Sequence, residues 1–210
     1  MESSRLAASR ISRRLLITIL AFASLGCVSS PPKKPNDICE IFKEKRGWYK
    51  HTRKAAKRWQ GDIPTIVAFI HQESGFVANA RPPRRKILWI FPGPRLSDAY
   101  GYAQAKKGTW NDYQSASGRW GADRNDFDDA SDFVAWYNHQ SRKRLKIAKR
   151  DAKRLYLAYH EGQGGYKRGT YKTKPWLMKV ADKVSKRSSR YRAQLGKCED
   201  DLQSSWWWPF

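Results

Sequence analysis

Asp62-Ile-Pro-Thr-Ile-Val-Ala-Phe-Ile-His-Gln-Glu-Ser-Gly-Phe76 is the stretch on which the reading of this 210-residue chain turns. Proline in the first turn of a helix gives up an N–H that has no intrahelical partner, so Asp62-Ile63-Pro64 reads as a helix start. Ile66, Val67, Phe69 and Ile70 follow at helical spacing. Gly75 suits the C-terminal end, where chains commonly leave a helix through a left-handed residue. Glu73 comes three residues after Ile70 and four after Phe69, which puts its carboxyl on the side of the apolar stripe. A carboxyl held against an apolar wall is desolvated and its pKa rises. That is what a general acid needs if it is to carry a proton near neutral pH. Position alone would equally allow a glutamate that reaches solvent from a helix end; the neighbouring motifs shift the balance.

Ahead of this helix, Asp37-Ile-Cys-Glu40 has the form of a helix start, an Asx residue with Glu three positions later. Residues 43–59 are basic, with Trp48, Tyr49 and Trp59 interleaved. Residues 81–100 are the least regular. A proline-rich basic segment leads into the apolar run Ile87-Leu-Trp-Ile-Phe91, whose periodicity does not choose between a strand, a cleft-lining loop and a membrane-facing patch. Asp129 opens a long helical pattern carrying Phe133, Trp136 and Tyr137, and residues 162–169 read as a glycine-rich loop. Pro175 opens a last helix whose Leu177, Val180, Val184, Tyr191 and Leu195 share a face. The expectation is a mainly α single domain over residues 37–200 with little or no β-sheet. Residues 201–210 form a tail containing Trp206, Trp207 and Trp208.

Residues 1–26 read as an export signal. Arg5, Arg10, Arg13 and Arg14 precede an uncharged run of 12 residues, Leu15 to Gly26, too short to span a bilayer. Ser24-Leu-Gly-Cys27 resembles the lipobox of bacterial lipoproteins, with serine where leucine is usual; the resemblance implies lipid on Cys27. Residues 27–36, rich in Pro, Lys and Ser, read as an extended tether. Cys39 and Cys198 remain as an even pair in an exported chain, and a disulfide between them is expected. The net charge of +23 implies an anionic partner or surface. Nucleic acid, anionic lipid and the acidic peptides of cell wall all qualify, and the export signal argues against nucleic acid. His51, His71, His139 and His160 lack zinc-ligand spacing, and no phosphate-binding glycine loop or Gly-x-Ser-x-Gly elbow is present, so neither metal nor cofactor is expected.

His71-Gln-Glu-Ser-Gly-Phe76 resembles the catalytic motif of the SLT family of lysozyme-like lytic transglycosylases, in which an apolar helix ends in Glu-Ser and a Phe follows. Gly101-Tyr-Ala-Gln104 is similar to the family's Gly-x-x-Gln motif, and Leu157-Ala-Tyr-His-Glu-Gly162 to its Ala-Tyr-Asn-Ala-Gly motif. The three blocks stand in the family's order over roughly residues 60–170. The chain departs from the pattern at His160 and Glu161, where Asn and Ala are usual, and in its long connection over residues 77–100. It therefore looks like a divergent branch.

The resemblance implies a lysozyme-like domain of the goose-type/SLT kind. It makes Glu73 the acid/base and gives Ser74 and Gln104 contacts to the sugar. Tyr159 would place its hydroxyl near Glu73. The implied reaction cleaves the β-1,4 bond between N-acetylmuramic acid and N-acetylglucosamine in peptidoglycan and leaves a 1,6-anhydro end. A lysozyme-type hydrolase would need a second carboxylate, for which Asp98, Asp112 and Glu161 are candidates by proximity in sequence; Glu161 reads more readily as a loop residue than as a second acidic group. A peptidoglycan-binding lipoprotein without catalysis is the other alternative. The implied setting is the periplasm, as a monomer held by lipid to the outer membrane.

Overall fold

The computed structural model describes residues 29–87 and 91–204. The expected signal segment, Cys27 and the three tail tryptophans lie outside the described residues. Seven α-helices, one short 3-10 helix and a two-stranded hairpin make up the described chain. They are α1 (Ile38–Glu44), α2 (Arg46–Arg58), α3 (Ile63–Ser74), β1 (Arg84–Ile87), β2 (Phe91–Arg95), α4 (Lys107–Ser117), α5 (Phe127–Leu145), α6 (Ala152–Arg168), η1 (Thr170–Thr173) and α7 (Pro175–Ser204).

The organising element is α3. Asp62 caps it by accepting from the Thr65 N–H at 3.1 Å, Pro64 sits in its first turn, and Gly75 ends it with φ 59°. Residues 64–70 are all buried. A helix apolar on every side needs partners all round. Here α7 packs along one flank, α5 along another, and α2 closes a third. Aromatic rings of α6 also reach it: Tyr156 and Tyr159 stand edge-on to Phe69, with centroids 5.2 and 5.4 Å away.

Local chemistry explains several boundaries. Asp37 caps α1 through the N–H groups of Cys39 and Glu40, as expected, but Glu40 pairs with Lys34 and Lys43 instead of closing a capping box. The long fifth helix begins at Phe127, two residues before the expected Asp129, because Asp126 is the cap and Asp129 supplies the N–H it accepts. The stretch 162–169 is not a loop. It continues α6, interrupted only at Gly162, whose φ of 73° and ψ of 156° kink the helix. Gly165 is tight against Thr170, where an added Cβ would lie 3.1 Å from the hydroxyl.

The two ends of the apolar 87–91 run, Ile87 and Phe91, pair in an antiparallel hairpin that also sets Arg84 opposite Arg95. Near the N-terminus, Pro32 is buried and the stretch to Asn36 is held against the domain. The Tyr191 hydroxyl donates to the Pro35 carbonyl, and Arg190 donates to the Asn36 side chain. A disulfide joins Cys39 to Cys198 with the Cα atoms 6.2 Å apart, stapling α1 to the end of α7 across 159 residues. Among the described residues no helix is long and apolar enough to cross a membrane.

Candidate active site

Glu73 occupies the last turn of α3, where the buried helix emerges from the core: residues 71–74 are partly exposed while 66–70 are not. The chain beyond it is fastened by two successive left-handed residues, Gly75 (φ 59°) and Phe76 (φ 66°). A positive φ is strained for phenylalanine, and full burial of the ring offsets it. Phe76 packs 5.6 Å from Trp48 and 5.1 Å from the His71 ring. Trp48 also stacks on Phe127 at 3.7 Å and meets Tyr102 edge-on at 5.8 Å. One aromatic cluster thus anchors both the Glu73 turn and the Gly101–Gln104 turn.

Burial raises the Glu73 pKa from its ordinary 4.5 to about 7, against a smaller lowering by a hydrogen bond from the Tyr156 hydroxyl. Tyr156 is raised in turn, first by burial and then by the nearby carboxylate. Tyr159 lies within electrostatic reach of Glu73, yet its hydroxyl donates to the Ala103 carbonyl at 2.6 Å. The tyrosine that holds the carboxyl is therefore Tyr156, one turn earlier on the same face of α6. Tyr159 ties the Gly101–Gln104 turn to that helix. Sequence reading missed Tyr156, and its spacing of three residues from Tyr159 was the available signal.

Gln104 braces its own turn. It has a left-handed φ of 46°, and its amide nitrogen donates to the carbonyls of Ala80 and Gly101, each at 2.9 Å. Among the described residues nothing donates to its Oε1. Gly101 cannot be replaced without movement: its φ is 79°, and a Cβ there would lie 1.9 Å from the Arg124 carbonyl oxygen. Ser74 follows Glu73, and its hydroxyl donates to the Ile70 carbonyl at 3.1 Å.

The three other carboxylates considered are differently placed. Glu161 accepts from Lys174 at 2.8 and 2.9 Å, from Thr170, and lies 3.1 Å from His160. Burial alone would raise its pKa, but the hydrogen bonds from Lys174, Thr170 and His160 outweigh it and bring the group down to about 2. It braces α6 against the short 3-10 helix and Lys174 that follow it. Asp98 accepts from the Lys107 N–H at 3.1 Å at the start of α4. Asp112 lines a hollow of about 470 Å³ together with Tyr137 and Gln163, and Tyr137 packs 5.1 Å from Tyr159. His71 points away from this group, 2.7 Å from the Tyr191 hydroxyl, and burial lowers its pKa to about 4. Among the described residues no group of three or more His, Cys, Asp or Glu could hold a metal ion.

The last turn of α3 thus carries a desolvated glutamate, held by Tyr156 of α6, and the same helix fastens the Gly101–Gln104 turn through Tyr159. The family model of the transglycosylase SLT domain matches residues 15–198. The chain belongs to that family, its fold is the mainly α, lysozyme-like SLT fold, and its function is of the peptidoglycan-acting, lytic transglycosylase type. No curated protein matches the chain.

Proposed function

We propose that this protein cleaves the β-1,4 bond between N-acetylmuramic acid and N-acetylglucosamine, with Glu73 as both acid and base. The neutral carboxyl of Glu73 donates its proton to the glycosidic oxygen as the bond to the muramyl anomeric carbon breaks. The resulting carboxylate takes the proton of the muramyl 6-hydroxyl, whose oxygen closes on the anomeric carbon. A 1,6-anhydro end forms, Glu73 regains its proton, and no water is consumed. A pKa of about 7 lets one group serve both steps. Tyr156 steadies the carboxylate through its hydroxyl, and the Oε1 of Gln104, to which nothing donates among the described residues, is suited to accept from a sugar acetamido N–H.

The observation that carries this reading is the desolvated Glu73, while Glu161, within the tyrosine motif, is engaged in an ion pair with Lys174. A single working carboxyl fits intramolecular closure better than water attack, which calls for a second carboxylate. Export under residues 1–26, lipid on Cys27, attachment to the outer membrane and action as a monomer belong to the same proposal. The test is clearance of purified sacculi: Glu73→Gln should reduce the rate roughly 10³-fold, within the range typical of a lost general acid. A variant that clears sacculi at the wild-type rate would overturn the assignment.

A further inference from the structure

A groove of about 1070 Å³ lies at the far end of α3 from Glu73, with Ile63 and Pro64 in its wall. Pro64 and Glu73 stand nine residues apart on the helix, roughly 14 Å at 1.5 Å per residue, so this groove is separate from the surroundings of Glu73. Its cations come from three elements: Lys50, Arg53, Lys54 and Lys57 from α2, Lys149 and Arg150 from the segment before α6, and Arg192 from α7. Arg192 and Arg150 flank Asp62 at 2.7 and 3.8 Å. Arg53, Lys54, Lys57 and Lys149 are exposed and have no carboxylate partner among the described residues. Between the rims lie the buried Tyr49 and Leu195, and Glu199 accepts from the Tyr49 hydroxyl at 3.0 Å.

This chemistry selects its ligand. Uncompensated cations call for carboxylates or phosphates. The concave shape receives a chain segment, whereas a bilayer surface meets a flat or convex face. An apolar floor has nothing to bury in a bare phosphodiester backbone. Glu199 would repel a phosphate-dense polymer but would pair with an amine. A short peptide that carries several carboxylates, small alkyl side chains and an amine matches all four features. We propose that this groove is a second wall-binding site that takes the acidic stem peptide of peptidoglycan. The inference rests on the wall-cleaving reading given above, and places the peptide remote from the scissile bond.

The test uses the full chain carrying Glu73→Gln, so that the wall is bound and not digested. Co-sedimentation is measured with intact sacculi and with sacculi stripped of stem peptides by an amidase. Reversing three exposed charges (Arg53→Glu, Lys54→Glu, Lys57→Glu) should weaken binding to intact sacculi at least tenfold and leave binding to stripped sacculi unchanged. Removing charge without reversal (Arg53→Gln, Lys57→Gln) should give a smaller loss in the same direction, at an unchanged melting temperature. Unchanged retention on intact sacculi would overturn the proposal, as would an equal loss on stripped glycan. Displacement of the chain from intact sacculi by duplex DNA or phosphatidylglycerol vesicles, but not by isolated stem tetrapeptide, would also overturn it. Cleavage of peptide-free glycan chains with Glu73 intact is run alongside. Failure there would sink the transglycosylase reading and leave peptide binding as a separate result.

Discussion

Replacing Glu73 by glutamine should stabilise the fold above neutral pH and leave it unchanged in mild acid. Burial lifts the group from 4.5 to about 7. Below pH 4.5 the side chain is neutral in both folded and unfolded chains, and its contribution to stability is complete. As pH rises from 4.5 the unfolded chain ionises while the folded one keeps its proton. Stability falls through that window and the contribution is lost once pH exceeds the folded pKa. At about 1.4 kcal/mol per unit, the full gap corresponds to about 3 kcal/mol. Glu73 is partly exposed at the end of α3, which reduces the working figure to about 2 kcal/mol. For a chain of this size that is about 4–8 °C in melting temperature. Glutamine has nearly the same shape and is neutral at every pH. Thermal unfolding of both proteins at pH 8 and pH 4.5 reads the effect; His71 titrates in both and cancels in the difference. The variant should melt higher at pH 8 and coincide with wild type at pH 4.5. A variant that melts at or below wild type at pH 8 would refute the claim that the fold penalises the Glu73 charge.

Tyr156→Phe removes the hydrogen bond that lowers the Glu73 pKa, so the pH–rate profile for sacculus cleavage should move to higher pH; Tyr159→Phe should lose about 1 kcal/mol of stability without moving the profile. Glu161→Gln should keep cleavage within about fivefold of wild type while losing about 1–3 kcal/mol in chemical denaturation, since it leaves Lys174 without its charge partner; a loss comparable to that of Glu73→Gln would mean that two carboxyls work. Cys39→Ser with Cys198→Ser should cost up to about 5 kcal/mol by the loop-closure argument, measured as a lower denaturant midpoint. Gly101→Ala forces a Cβ into the Arg124 carbonyl and should lower stability by about 3 kcal/mol and impair cleavage together, read by melting and sacculus clearance.

The helix bearing Glu73 could be read from sequence because its signals are local: a capping Asp62, a first-turn Pro64, an apolar run and a terminal Gly75. Pro175 marked α7 in the same way. The hairpin was not legible, since Pro92 and Pro94 argue against a strand. A two-stranded ribbon leaves one edge of each strand unpaired, and proline is tolerated there. The glycines after Glu161 concealed a helix because packing against Thr170, and not propensity, keeps Gly165 in it. Tyr156 and Tyr159 share a face, and which hydroxyl meets Glu73 depends on how α6 is set against α3. That is tertiary information which no spacing encodes. The role of Gln104 was hidden for a similar reason, because its carbonyl partners Ala80 and Gly101 are brought together only by the folded turn.

Mass spectrometry of the fragments released from sacculi by the full chain, beside Glu73→Gln, tests the central claim most directly. The account predicts anhydromuramyl ends, one water lighter than hydrolytic ends, from wild type and none from the variant. Reducing muramyl ends from wild type, or anhydro ends from the variant, would contradict it.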